Sequence, residues 1–331
     1  MSLDISNKRM PEDGARLIQD ALAELGWDAD AAAVAESVRR LDIGLPAEAE
    51  FSVICAWLGK CELLHKLDQH QVPPRSAMTY QVPDVLARFS TQTNRSPVLV
   101  EVKSKQANTL SFQPAYLKRL TAYADLVGMP LLIAWKFHSV WMLFEAKHLT
   151  KAKKNFNISL QTAMQENLLG VLAGDVAYKV GAGAGVHIRL RKEELVDVTK
   201  TEDGRTESWK MVVDDVALTD YHGKRIEDVG IDVQALFTSW DLEETEEHTN
   251  AHIHIHSVAG DDGLQFAYTA MQRQLDFESH GDGRPHWRGL LRKEQVTASI
   301  SNFSAALQVG FEKAIVSHIF HVRPTTIPDF L

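Results

Sequence analysis

The sequence has few cysteines and no long apolar run. Only Cys55 and Cys61 occur among 331 residues, too few for a disulfide framework and without partners at metal-ligand spacing, so we expect two core thiols. The longest nearly apolar run, LVGMPLLIAW, is too short to cross a bilayer, and the polar start MSLDISNKRMPEDG lacks the apolar region of a secretory signal. These absences predict a soluble, cytoplasmic, globular protein without a membrane span.

The chain as a whole also lacks basic character, since its formal net charge is −9. The charge is uneven, however. Residues 46–155 contain 14 Lys or Arg and 8 Asp or Glu, a net charge of +6, whereas the remaining residues carry −15. Phosphate binding needs only a local cationic surface, so nucleic acid is a candidate partner of this middle segment; a solvated surface is the alternative. The basic residues considered are Lys118, Arg119, Lys136, Lys147, Lys151, Lys153 and Lys154.

Length and hydrophobic spacing divide the chain into three parts. With 331 residues, 45% of them hydrophobic, it can form about two domains. Residues 1–45 have helical spacing in two stretches between Pro11 and about Leu41, which favours a packing or dimerisation segment over a helix-turn-helix DNA reader. Residues 46–155 form a central domain. Residues 156–331 form an acidic, β-rich α+β domain that ends in a long helix.

The central segment alternates helical and strand patterns. AEAEFSVICAWLGK is helical, CELLHKLDQHQ is strand-like, and PDVLARFS and PVLVEVKSK flank the turn TQTNRS as a hairpin. FQPAYLKRLTAYADLVG predicts a helix that ends at Gly128, and MPLLIAWKF and VWMLFEAKHL predict two further strands. The order helix, three strands, helix, two strands indicates an α/β fold with a mixed β-sheet flanked by helices.

The C-terminal segment has a different pattern of residues. VHIRLRK, WKMVVDDVAL and AHIHIHSV are short strand-like pieces, DLEETEEH predicts a solvated acidic loop, and VTASISNFSAALQVGFEKAIVSHIF predicts one long core or interface helix. His252, His254 and His256 share a strand face at a spacing that could bind Zn²⁺ or another transition metal. No ligands from a second element are identifiable, which favours a polar strand face.

Two charged residues interrupt the apolar strand PVLVEVKSK. Residues two apart share a strand face, so Glu101 and Lys103 project together, and the hairpin brings Asp84, which follows Pro83, alongside Glu101. Buried carboxylates are costly unless paired or bound, and a hard cation such as Mg²⁺ or Mn²⁺ takes carboxylate, water and phosphate oxygens as ligands. We therefore predict Asp84 and Glu101 as metal ligands; a plain ion pair between Glu101 and Lys103 is the alternative.

A third acid could come from the helix that begins near Pro46. We choose Glu50 as the ligand because it precedes the apolar face of FSVICAWL, whereas Glu48 could serve only the helix N-terminus; helix-start electrostatics is the alternative for Glu50 too. A metal held there would polarise a scissile phosphate and activate water, and Lys103 would orient that water or stabilise the transition state. The predicted catalytic residues are Asp84, Glu101, Lys103 and Glu50.

The residues PD at 83–84 and EVK at 101–103 resemble the PD-(D/E)xK motif of restriction-endonuclease-like nucleases. The helix with Glu50, the hairpin spacing and the run from Tyr116 to Leu149 look most like archaeal Holliday-junction resolvases, and the likeness covers roughly residues 46–150. The resemblance implies a restriction-endonuclease-like core and Mg²⁺-dependent hydrolysis of phosphodiester bonds, usually in DNA, often by a dimer or higher oligomer. It also implies an assisting polar residue on the following helix, for which Gln113 and Tyr123 are the candidates.

These observations predict a divalent-metal-dependent endodeoxyribonuclease whose C-terminal domain assembles it, regulates it or selects its target. A catalytically inactive binding or assembly protein that retains the nuclease fold is one alternative. A sensor-gated defence nuclease is another, and it rests on the domain layout alone.

Overall fold

The computed structural model describes residues 47–68, 71–91, 96–201, 204–278 and 303–331. The two helices expected between Pro11 and about Leu41 lie outside these residues. In chain order the first elements are a helix over residues 47–57 (α1), β1 (Cys61–Lys66), β2 (Val85–Phe89), β3 (Val98–Ser104), β4 (Thr109–Phe112), α2 (Pro114–Val127), β5 (Leu131–Phe137) and β6 (Val140–Glu145).

Five of these strands form one mixed sheet in the order β1-β2-β3-β5-β6. β3 and β5 run parallel, and the other neighbours run antiparallel. A parallel pair needs a crossover connection, which α2 supplies. The predicted mixed sheet flanked by helices is confirmed, and β4, a short strand before α2, is absent from the predicted order.

The side chains of β3 alternate between two hydrophobic cores. Val100 and Val102 belong to the core that contains α1, and Leu99 belongs to the core that contains α2. By the same alternation Glu101 lies on the Leu99 side, under α2, where it is fully buried. The position of β3 inside the sheet thus removes a carboxylate from solvent.

The end of α2 follows the predicted glycine signal. Gly128 has a φ of 66°, the left-handed conformation that favours glycine, and its N–H donates to the carbonyl oxygens of Ala124 and Asp125. The chain then enters β5 beside β3. The cap therefore sets the start of the parallel strand that flanks Glu101.

The second half of the chain is rich in strands. The elements are β7 (Thr150–Lys151), β8 (Phe156–Ser159), α3 (Leu160–Gln165), α4 (Leu169–Leu172), β9 (Ala177–Val180), β10 (Gly185–Thr201), β11 (Gly204–Thr219), β12 (Arg225–Ile226), α5 (Ile231–Thr238), β13 (Leu242–His248), β14 (His252–Ala259), β15 (Gln265–Phe266), α6 (Ala267–Glu278), α7 (Phe303–Glu312) and β16 (Val316–Phe320). They form sheets ordered β12-β11-β10-β14-β13, β15-β9-β16 and β4-β8-β7. The prediction of a β-rich C-terminal region is confirmed.

Two C-terminal predictions are wrong in detail. DLEETEEH is not a loop: residues Leu242–His248 form β13, an edge strand that pairs with β14 and keeps its glutamates exposed. The long final helix does not continue to the predicted end, because α7 stops at Glu312 and residues Val316–Phe320 form β16. Ala314, at a φ of 55°, separates the two elements. Both segments form strands because neighbouring strands pair with them, and the local spacing of residues does not reveal such partners.

The larger hydrophobic core continues across residue 155. Phe51 and Ile54 of α1 lie in the same buried cluster as Leu236 of α5, Tyr268 of α6 and Phe303 of α7. The division into domains 46–155 and 156–331 stays a prediction. Within the part of the chain that the structure describes, no helix has the length and hydrophobicity that a membrane span requires.

Candidate active site

Asp84 and Glu101 face each other where β2 and β3 separate. Val85 pairs with Val100 in the antiparallel register, and one further step places Asp84 opposite Glu101. Instead of a continued backbone ladder, the Val102 N–H donates to Asp84 Oδ2 at 2.7 Å. Both carboxyl groups are buried, with Asp84 9% and Glu101 0% exposed. The hairpin therefore brings the two predicted acids together, as the sequence indicated.

Lys103 and Tyr116 both hold one oxygen of Glu101. The Lys103 ammonium group and the Tyr116 hydroxyl donate to Oε1, and the ammonium nitrogen lies 5.5 Å from the centroid of the Tyr116 ring. The other oxygen, Oε2, is buried and has no hydrogen-bond partner among the described residues. An orphaned buried carboxylate oxygen is energetically unfavourable unless a ligand completes it.

The charges at this site shift one another's ionisation. Burial, followed by the negative charge of Glu101, raises the pKa of the Asp84 carboxyl to about 7. Burial disfavours the charged form of Lys103, but the Glu101 and Asp84 carboxylates outweigh it and raise the pKa of the amine. Burial and the Glu101 charge also raise the pKa of the Tyr116 hydroxyl. At neutral pH the lysine is therefore cationic, the tyrosine is a neutral donor and Asp84 titrates.

The two glutamates of α1 have different surroundings. Glu50 lies away from this pair: its carboxylate accepts from Lys136, from Trp141 Nε1 at 2.9 Å and from Gln272 Nε2 at 2.6 Å. Glu48 pairs with Lys66 of β1. Burial and the Asp84 charge raise the pKa of Glu48, while the Lys66 and Lys103 charges lower it. The structure thus does not bring Glu50 together with Asp84 and Glu101. Glu48 is the α1 acid on the Asp84 side, since its partner Lys66 lies opposite Val85, the residue after Asp84.

The α2 residue that contacts the candidate site is neither of the two sequence candidates. Gln113 is exposed and precedes the helix without a side-chain cap, and Tyr123 is a partly buried member of the α2 core. Tyr116 is the α2 residue that contacts Glu101. A sequence signal for it existed, since Tyr116 lies four residues before buried Leu120 and so shares the sheet-facing side of the helix at its first turn.

The donor set suits a hard divalent cation. Mg²⁺ takes one or two protein carboxylates and completes its shell with water and substrate phosphate oxygens. Glu101 Oε2 and the Asp84 carboxylate provide this kind of oxygen pair, and the orphaned state of Oε2 is the feature that fits. Within the described residues, no group of three or more His, Cys, Asp and Glu is arranged to hold a metal ion, so the fit is with a carboxylate pair.

The histidines of β14 share a face but do not converge. Ring centroids of His252 and His254 are 6.0 Å apart, and those of His254 and His256 are 6.3 Å apart. His256 instead contacts His187 of β10, with 2.7 Å between their Nδ1 atoms, and His187 Nε2 lies 2.8 Å from Thr219 Oγ1. This arrangement is a hydrogen-bonded polar sheet face, the reading that the sequence favoured.

Comparison with known families agrees with this geometry. Residues 73–175 match the family model described as archaeal Holliday junction resolvase (Hjc), a family of the restriction-endonuclease-like superfamily. The resemblance predicted from the PD and EVK residues is confirmed over this segment, which contains Asp84, Glu101, Lys103 and Tyr116. Glu48, Glu50 and the chain beyond residue 175 lie outside the match.

One solved structure with a similar segment is Hjc from Archaeoglobus fulgidus, a Holliday junction resolvase from an archaeal hyperthermophile. It has 22% sequence identity, covers 30% of this chain and 76% of its own, and has a TM-score of 0.25. At this TM-score it adds nothing to the family match. No curated protein sequence matches the chain.

Proposed function

We propose that the chain is a divalent-metal-dependent endonuclease that hydrolyses phosphodiester bonds in DNA. The observation that carries the proposal is the buried pair Asp84 and Glu101, opposed across the β2–β3 hairpin beside the cationic Lys103. Among the residues that the structure describes, Glu101 Oε2 has no hydrogen-bond partner. If Glu101 and Lys103 formed only a structural ion pair, the buried carboxyl of Asp84 beside Glu101 would be unfavourable, because two negative charges at close range repel each other.

Each side chain has a definable task. Asp84 and Glu101 would hold Mg²⁺ or Mn²⁺, which when bound supplies Lewis-acid polarisation of a phosphate and a more acidic water. Lys103 keeps its proton because its pKa is raised, so it acts as a cation that stabilises negative charge on phosphorus-bound oxygen rather than as a base. Tyr116 fixes Glu101 through Oε1 and leaves Oε2 directed elsewhere. Glu48 adds a third acidic group at the Asp84 side.

DNA is the proposed substrate because the central segment is cationic and the family model is that of DNA junction resolvases. Of the basic residues considered, those exposed are Lys118, Lys147, Lys151, Lys153 and Lys154; all but Lys147 are suited to phosphate contact. Lys136 is engaged by Glu50 and Lys147 by Glu145. Assembly as a dimer or higher oligomer stays a prediction.

A cleavage assay tests the proposal. Supercoiled plasmid, a four-way DNA junction, single-stranded DNA and RNA would be incubated with Mg²⁺ or Mn²⁺. We expect cleavage of a DNA substrate by the unaltered chain and a loss of about 100-fold or more in Asp84→Ala, Glu101→Ala and Lys103→Ala. Glu194→Ala and Lys210→Ala are matched controls, because these residues form an exposed ion pair at 2.6 Å on the β10–β11 hairpin.

The assay also separates the alternatives. Saturable Mn²⁺ binding that depends on Asp84, without cleavage of any substrate, would replace the enzyme by a nuclease-fold binding protein. Cleavage of RNA but not DNA would retain the chemistry and change the substrate. Cleavage that is equal in the three variants would show that another site or a contaminant is responsible.

A further inference from the structure

A polar network around the buried carboxylate of Glu50 connects the C-terminal helix α6 to α1. Glu50 of α1 is 3% exposed, and its carboxylate accepts from Trp141 Nε1 and Gln272 Nε2 at Oε1 and from Lys136 at Oε2. Trp141 and Lys136 lie on β6 and β5 of the mixed sheet. Gln272, on α6, is the one member of these four that lies beyond residue 155. The Glu50 carboxylate therefore connects α1, the mixed sheet and α6.

Gln272 is an energetically significant member of this network. A buried carboxylate is stable only when donors replace its lost water, and hydrogen bonds to a charged acceptor are stronger than those between neutral groups. Without the Gln272 amide, the indole N–H of Trp141 would be the one donor left to Oε1 among the described residues. The bond at 2.6 Å thus holds α1 against α6.

The same bond bears on the candidate active site through the geometry of α1. Residues two apart on a helix point about 200° apart around its axis, so Glu48 and Glu50 reach in different directions. Glu48 pairs with Lys66 of β1, and Lys66 lies opposite Val85, the residue after Asp84, in the β1–β2 register. Glu50 reaches Lys136 of β5, which pairs with Ser104 of β3. Holding Glu50 therefore fixes the rotation of α1 and, with it, the place of Glu48.

We propose that Gln272 is a positioning residue: through Glu50, the C-terminal helix α6 holds α1 so that Glu48 stays beside Asp84. This inference rests on the proposed function for its catalytic meaning. It makes the C-terminal region a required part of the nuclease site, although the region lies outside the segment that matches the resolvase family. A partner or ligand that displaces α6 would then weaken the site without touching Asp84 or Glu101.

Three variants of the full chain separate positioning from general packing. Gln272→Glu keeps the side-chain shape but replaces the donor by an acceptor next to Glu50. Gln272→Met keeps the length and removes the donor. Gln274→Met is the matched control, because Gln274 lies on the same helix, is buried and donates to the Ala235 carbonyl at 2.9 Å, a bond inside the C-terminal region.

Two measurements are made on each variant: hydrogen exchange of the residue 47–57 backbone, and Mn²⁺ affinity by calorimetry. We expect Gln272→Glu to speed exchange over residues 47–57 and to weaken Mn²⁺ binding on the order of tenfold, with Gln272→Met between it and the unaltered chain. Gln274→Met should leave both unchanged, even where it lowers the melting temperature.

Unchanged exchange over residues 47–57 in Gln272→Glu would overturn the inference, as would an equal change in Gln274→Met. The proposed function fails in a different way, if the unaltered chain neither binds Mn²⁺ nor cleaves nucleic acid. Hydrogen exchange needs neither metal nor substrate, so it still decides whether Gln272 positions α1 in that case.

Discussion

Tyr116 of α2 donates its hydroxyl hydrogen to Glu101 Oε1 on β3, the oxygen that Lys103 also contacts. The two donors occupy one side of a fully buried carboxylate and leave Oε2 without a partner among the described residues. A helix and a strand thus orient one carboxylate so that one oxygen stays available, which suits a monodentate metal ligand.

Removing this donor should affect the reaction more than the fold. In Tyr116→Phe the ring stays in the α2 core while Glu101 loses one hydrogen bond, so we expect cleavage to fall about 10- to 100-fold with a small change in unfolding free energy. Tyr123→Phe is the matched control, since Tyr123 lies on the same helix and packs in the same core. Equal losses in both variants would assign Tyr116 a packing role.

The stability of the metal-free protein should depend on pH through Asp84. Its pKa is about 7 in the folded protein and near 3.8 when unfolded, so the folded state binds the proton more tightly. The contribution of Asp84 to the free energy of unfolding therefore falls as pH rises from about 4 to about 7, and it stays constant above pH 7. Asp84→Asn should be more stable than the unaltered chain by about 4 kcal/mol at pH 8 and equal to it at pH 4, while losing metal binding.

Asp175 supplies a control for this effect. It is buried, its Oδ1 accepts from the Tyr268 N–H at 3.2 Å, and burial raises its pKa to about 7. Asp175→Asn should show the same pH-dependent gain in stability but keep Mn²⁺ affinity and cleavage. Denaturant unfolding at pH 4 and pH 8 measures both variants. If Asp84→Asn is less stable than the unaltered chain at pH 8, the buried Asp84 carboxylate does not destabilise the folded protein, and the prediction is wrong.

Metal affinity should also follow the ionisation of Asp84. The cation competes with the proton for this carboxylate, so the Mn²⁺ dissociation constant should increase by about tenfold for each pH unit below 7 and level off above it. Calorimetry across pH 5.5 to 8.5, in buffers of different ionisation enthalpy, also counts the proton released. Affinity that is independent of pH, with no proton released, would place the metal on other groups.

Substitutions of Glu48 and Glu50 should both lower cleavage, but only the Glu50 substitution should also lower stability. Glu48→Gln removes an acidic group at the Asp84 side and should lower cleavage with little change in the melting temperature. Glu50→Gln leaves the partly buried Lys136 without its counter-charge and should cost about 2 kcal/mol of unfolding free energy. Parallel cleavage and melting measurements check this division. The reverse pattern, with Glu50 governing cleavage at unchanged stability, would restore Glu50 as the metal ligand.

Sequence spacing predicts the central fold because its signals are local. Alternation in PVLVEVKSK, the turn before it and Gly128 after α2 each depend on neighbouring residues, and together they set the hairpin that opposes Asp84 and Glu101. The C-terminal errors have the opposite cause. Residues 242–248 become a strand only because β14 lies beside them, a tertiary partner that their own charges do not indicate.

The choice between Glu48 and Glu50 could not be made from the sequence for a similar reason. Both occupy the first turn of α1, and the helix pattern states only that they point in different directions. Gln272 satisfies Glu50 across a sequence separation of 222 residues, and no local pattern contains that information. Tyr116 was accessible to sequence reasoning, because its helical position relative to Leu120 aims it at the sheet.

A crystal structure of the protein soaked in Mn²⁺, with anomalous scattering recorded, tests the central claim most directly. We expect one Mn²⁺ bound by Glu101 Oε2 and the Asp84 carboxylate, with Lys103 within reach of its water shell. Anomalous density elsewhere only, with Asp84 and Glu101 binding no ion, would contradict it.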